Sequence, residues 1–129
     1  QMALNVDEFH AKTYMAMGKF KDAGEKYADV AARKTDPEGV TEAMYFSALA
    51  SSRADLPDEA KSRLDKLFAL NPPPGQFRSA AAVLLGDVLA KLGKADAAVK
   101  QYRKAAAEAG SPPPSRTKTS MRTGTAPAG

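Results

Sequence analysis

Apolar side chains recur at helical spacing along most of the chain, in runs separated by glycine, proline and aspartate. The spacing predicts a first helix from Leu4 to Met17, closed by Gly18, and a second from Phe20 to Arg33. Asp36, Pro37 and Glu38 mark a loop, after which Val40 to Arg53 reads as a third helix. The turn Ala54, Asp55, Leu56, Pro57 ends it. There Asp55 is placed to cap and Pro57 to open a fourth helix, Asp58 to Leu70. Asn71 to Gly75, with three consecutive prolines, is a break. Gln76 to Leu92 and Lys94 to Ala109 read as the fifth and sixth helices, and Gly110 with Pro112 to Pro114 ends the series. Six helices joined mainly by short turns leave little room for a sheet, so the expected fold class is all-α.

The helices repeat. Gly18, Lys19, Phe20, Ala23, Tyr27 and Val30 are matched 75 residues later by Gly93, Lys94, Ala95, Ala98, Tyr102 and Ala105. A degenerate copy lies between them, carried by Asp55, Pro57, Ala60, Leu64 and Leu67, at spacings of 37 and 38 residues. Each unit is therefore a helix, a turn and a second helix. Ala11, Ala48 and Gly86 in the first helices, and Ala23, Ala60 and Ala98 in the second, are small where two backbones must approach. Tyr14, Leu89, Tyr27, Leu64 and Tyr102 fill the wider spaces.

With these residues in place the chain resembles the tetratricopeptide repeat family, whose units carry a small residue and an aromatic before a Gly-X-aromatic turn, then Ala, aromatic, Ala and often Pro. The resemblance spans Leu4 to Gly110. Ala95 stands where an aromatic is usual, and Asp55 with Pro57 replaces the turn glycine and aromatic of the middle copy. The resemblance implies a right-handed solenoid of three antiparallel helix pairs, a domain over residues 1–110, and a role in scaffolding or recognising other proteins. It also implies that the first helix of each pair supplies the inner face: Glu8, Lys12 and Met15, then Tyr45, Leu49, Ser52 and Arg53, then Val83 and Asp87. Tyr45 and Leu49 form an apolar centre with charges at its edge, the composition of a protein-binding patch. Tyr45, Leu49 and Val83 also suit the alternative reading, as core between repeats. The inter-repeat loops near Lys34 to Gly39 and Pro72 to Gly75 are longer than the family's usual ones. That irregularity is similar to divergent repeats of bacterial envelope proteins.

Composition narrows the chemistry. A hydrophobic content of 43% is ample for a core in 129 residues. Of the net charge of +4, three units lie in residues 111–129 as Arg116, Lys118 and Arg122, with no acid among them, so the body is almost neutral. Its acids and bases are interspersed, which argues against a nucleic-acid surface. The absence of cysteine excludes disulfides and thiolate chemistry. No apolar run approaches the roughly 20 residues of a membrane span. Residues 111–129, rich in Pro, Ser and Thr, are expected to form a flexible tail.

Catalytic signals are weak. His10 is the only histidine and has no second His or Cys for a zinc site. Asp7 with Glu8, and Asp58 with Glu59, sit at helix starts, where acids favour the helix dipole. Gly93 and Lys94 lack the glycine run and following hydroxyl of a phosphate loop. The expectation is a non-catalytic, cofactor-free scaffold for another protein or peptide. The alternative is a self-associating fragment of a membrane-anchored envelope or secretion-associated protein, because the end faces of three repeats need covering. The compartment follows that choice: cytoplasmic, or extracytoplasmic and membrane-associated if an anchor was removed upstream of Gln1.

Overall fold

The computed structural model describes residues 2–73 and 75–108; the tail expected at 111–129, Gly110 and Ala109 lie outside them. The described residues form six helices and no strand: α1 (Met2–Ala16), α2 (Phe20–Arg33), α3 (Pro37–Arg53), α4 (Pro57–Ala69), α5 (Gln76–Lys91) and α6 (Ala95–Glu108). Consecutive helices pack on one another, and α3 also meets α5. The architecture is all-α and repeat-like, as the hydrophobic spacing predicts.

The turns inside the three units are the same structure. Gly18, Asp55 and Gly93 take positive φ of 78°, 61° and 80°. Around each, the left-handed residue's amide donates three residues back, to Met15, Ser52 and Ala90, at 3.0–3.1 Å. The next amide donates five residues back, from Lys19 to Tyr14, Leu56 to Ser51 and Lys94 to Leu89, at 2.8–3.0 Å. This is the Schellman closure, which satisfies carbonyls that a helix end leaves open. Asp55 is thus not the cap of α4, as its sequence context suggests; Leu56 holds the N-cap position without a side-chain bond. Aspartate can stand in for glycine here because it is one of the few residues that visit the left-handed region.

The third helix also begins earlier than its apolar spacing indicates. Asp36 accepts a bond from the Gly39 amide at 2.7 Å, and Pro37 occupies the first turn, where its missing N–H is no loss. The residues read as a lengthened loop between the first two units are therefore partly the first turn of α3. The second break is longer, and the Arg78 guanidinium braces it by donating to the Pro72 carbonyl at 2.6 Å.

Every small residue assigned to close approach is buried: Ala11, Ala48 and Gly86, and Ala23, Ala60 and Ala98. A Cβ on Gly86 would lie 2.6 Å from the Tyr102 ring, and one on Gly24 would lie 2.6 Å from Arg63 Nη1 and 3.3 Å from the Ser47 carbonyl. Where α2 meets α3, the rings of Tyr27 and Phe46 stack at 5.4 Å, and Tyr45 and Phe77 join them. Toward α4, α5 and α6 the packing becomes aliphatic, in a single cluster that includes Ala48, Leu64, Leu67, Leu84, Val88 and Ala98. The Lys104 ammonium over the Phe68 ring, 5.1 Å from its centre, ties α6 to α4.

Helix α1 packs on α2 with Ala11 fully buried, and ion pairs join the two as well. Asp7 pairs with Arg33 and with Lys26, and Glu8 with Lys34 at 3.3 Å. The Arg33 hydrogen bond is the main cause that holds the Asp7 carboxyl below its ordinary value. A depressed carboxylate stabilises the fold above the usual carboxylate range, and that contribution is lost as pH falls through the lowered value.

The two kinds of turn residue give opposite mutational outcomes. Gly93→Ala should lower stability by about 1–2 kcal/mol, because only the left-handed backbone opposes the added methyl, which would meet no atom within 4 Å. Asp55→Gly should leave stability unchanged or raise it by up to about 1 kcal/mol. Denaturant unfolding followed by circular dichroism checks both signs.

Candidate functional site

The residues assigned to an inner face fall at equivalent places in the repeat: Glu8 with Tyr45 and Val83, and Lys12 with Leu49 and Asp87. The structure brings those of α3 and α5 onto adjoining helices, while Glu8, Lys12 and Met15 stand on α1, which rests chiefly on α2. Tyr45 and Leu49 are half-buried and packed against the main core cluster. Tyr45 also meets Phe46 and Phe77, with ring centres 5.2 and 5.8 Å away. Met15 and Ser52 are half-buried as well. Glu8 is engaged by Lys34. Lys12, Arg53, Val83 and Asp87 are exposed, and Asp87 accepts a bond from the Tyr102 hydroxyl at 2.5 Å. That bond favours the protonated phenol and, with desolvation, raises the Tyr102 pKa above its ordinary value.

A second surface has no counterpart among the sequence assignments. Helices α2, α3 and α4 enclose a groove of about 570 Å³. Its walls are apolar: Ala28, Ala31 and Ala32 from α2, Val40 and Met44 from α3, and Leu70 at the end of α4. The charged groups lining it are all cations, namely Lys34, Arg63 and Lys66. Lys34 is paired with Glu8. Lys66 makes no ion pair with another described residue.

The floor of the groove is a hydrogen-bonded network. The Ser47 hydroxyl donates to the Gly24 carbonyl at 2.7 Å, and Arg63 Nη1 donates to the hydroxyls of Ser47 and Ser51 at 2.9 and 3.0 Å. The Ser51 hydroxyl donates to the Glu59 carboxylate at 2.9 Å, and Glu59 lies 3.7 Å from Arg63 Nη2. Buried Ser47 and Ser51 are thereby satisfied, as the interior requires. Gly24 makes the arrangement possible, because any side chain there would occupy the place of the guanidinium. The visible signal was the pairing of Ser47 with Ser51 and of Glu59 with Arg63, each four apart on one helix face. The alanines at 28, 31 and 32 lie beside the core stripe, not in it, and read in sequence as plain helix formers.

Chemically the groove can hold an apolar surface with an anionic group at its margin. His10 is exposed and stands apart from it. Among the described residues, no group of three or more His, Cys, Asp or Glu side chains is placed to hold a metal ion. None of their helices is long and apolar enough to cross a membrane.

The packing of Tyr45 and Leu49 decides what their removal does first. Tyr45→Ala with Leu49→Ala should lower stability by about 2 kcal/mol or more, through lost contacts and a partly unfilled space. Thermal melting of the double variant beside the parent checks this, and an unchanged midpoint would assign both side chains to the surface. No protein family, curated protein or solved structure matches the chain.

Proposed function

We propose that this chain is a non-catalytic protein-binding scaffold, a tetratricopeptide-like array of three antiparallel helix pairs stacked as a right-handed solenoid. The repeated turn at Gly18, Asp55 and Gly93 and the burial of the equivalent small residues support the repeat reading. The handedness and the antiparallel pairing follow from the resemblance to that family. The groove between α2, α3 and α4 carries the functional reading. Apolar walls drawn from three consecutive helices suit the apolar stripe of a partner's helix, which anchors through side chains three and four positions apart. The cations at its margin, Lys66 above all, select a stripe flanked by acidic residues. Lys12, Arg53, Val83 and Asp87 are the exposed members of the assigned inner face and are open to a second contact.

Synthetic helical peptides with one apolar stripe test this, in versions whose flanking residues are Glu or Lys. The Glu version should bind at least about tenfold more tightly, a difference of roughly 1.4 kcal/mol, and the preference should shrink as salt is raised. Nuclear magnetic resonance shifts should centre on Ala31, Val40, Met44 and Lys66, and Lys66→Glu should reverse the preference. Binding that leaves these amides unmoved, or binding by neither peptide, would overturn the assignment.

A further inference from the structure

We propose that copies of this chain associate end to end, with the α1 face of one copy seated on the α6 face of the next. The inference goes beyond the groove and does not depend on it, because it rests on repeat equivalence. Phe9 in α1 corresponds to Phe46 in α3 and Leu84 in α5; Tyr27 in α2 corresponds to Leu64 in α4 and Tyr102 in α6. Inside the chain these positions meet at each junction between units. Phe46 stacks on Tyr27 with ring centres 5.4 Å apart, and Leu84 and Leu64 share the main core cluster.

At the two ends the same positions are open. Phe9 is 69% exposed where Leu84 is 6%, and Tyr102 is 39% exposed where Tyr27 is 5% and Leu64 is 0%. The neighbouring positions follow suit. Val6 is exposed while its equivalents Ala43 and Ala81 are buried, and Val99, exposed one turn before Tyr102, corresponds to Gly24, which is buried at the first junction, and to the half-buried Lys61 at the second. The chain thus carries both halves of a junction that it makes twice within itself.

The Tyr102 ring is also held ready. It lies against Gly86, where a Cβ would come within 2.6 Å of it, and its hydroxyl is fixed on Asp87 at 2.5 Å. A second copy's Phe9 on this ring would repeat the Tyr27 and Phe46 stack, and its Val6 and the first copy's Val99 would leave water at the same junction. Such a contact joins two different faces, so it does not close on itself as a twofold dimer does. It adds units to the array one copy at a time.

Sedimentation velocity on the full chain tests this. The apparent mass should rise with concentration between about 10 μM and about 1 mM, the range of weak association. Phe9→Glu and Val99→Glu, both at exposed positions, should each weaken association at least about tenfold with helicity and melting unchanged. Phe9→Ser and Val99→Ser serve where glutamate disturbs its own helix. Each single variant retains one intact face, so an equimolar mixture of Phe9→Glu and Val99→Glu should form a dimer and nothing larger. A chain that stays monomeric throughout overturns the proposal, whether residues 109–129 or water cover α6. So does a single variant that dimerises alone as well as the parent, the mark of a twofold contact, and so does a mixture that remains monomeric.

Discussion

Two helix backbones come close only where neither carries bulk at the crossing, and this constraint sets the rest of the molecule. Ala11 and Ala48 on the first helices of the units, and Ala23, Ala60 and Ala98 on the second, supply the bare positions, and Gly86 leaves room for the Tyr102 ring. Once the backbones are close, larger side chains on either side interlock: Tyr27 with Phe46 at the first junction, and Leu64 and Leu84 within one cluster at the second. The three equivalent turns then follow, since a short connection must close one helix and start the next within three residues, and a left-handed residue does this with its own amide and the next one bonded. Asp55 shows that the geometry, and not glycine itself, is what the fold retains.

The same constraint admits polar groups where they can be fully bonded. At the crossing of α2 and α3, Gly24 leaves space into which Arg63 of α4 reaches, and Ser47 and Ser51 share its guanidinium. The network fixes three helices relative to one another without filling the space beside it, and that space is the groove. Groove and packing are therefore linked: the junction that carries the hydrogen-bonded network is the one beside an apolar trough with cations along it.

Helix number, helix limits and the small-residue positions were legible in the sequence, because each depends on local spacing and on punctuation by Gly, Pro and Asp. The start of α3 was not, since Asp36 capping Gly39 adds a turn that the apolar period does not reveal. Asp55 looked like a cap because its type suits both roles, and only backbone dihedrals separate them. The residues assigned to an inner face lie on α1, α3 and α5, and their burial depends on neighbours distant in sequence. Tyr45 lies beside Phe77, 32 positions away, and no periodicity announces that contact. The groove was hidden for a related reason: its walls come from three helices, each contributing residues unremarkable in isolation.

Overpacking at a single crossing tests the close-approach constraint most directly. Leucine and alanine have nearly equal helix propensity, so replacing one with the other changes bulk with little effect on the helix itself. Ala48 is fully buried and Ala107 is exposed. Equilibrium unfolding in urea should show Ala48→Leu destabilised by about 1–3 kcal/mol, while Ala107→Leu stays within about 0.5 kcal/mol of the parent. Equal stability in all three proteins, or a gain at Ala48, would contradict the view that bare helix crossings hold this fold together.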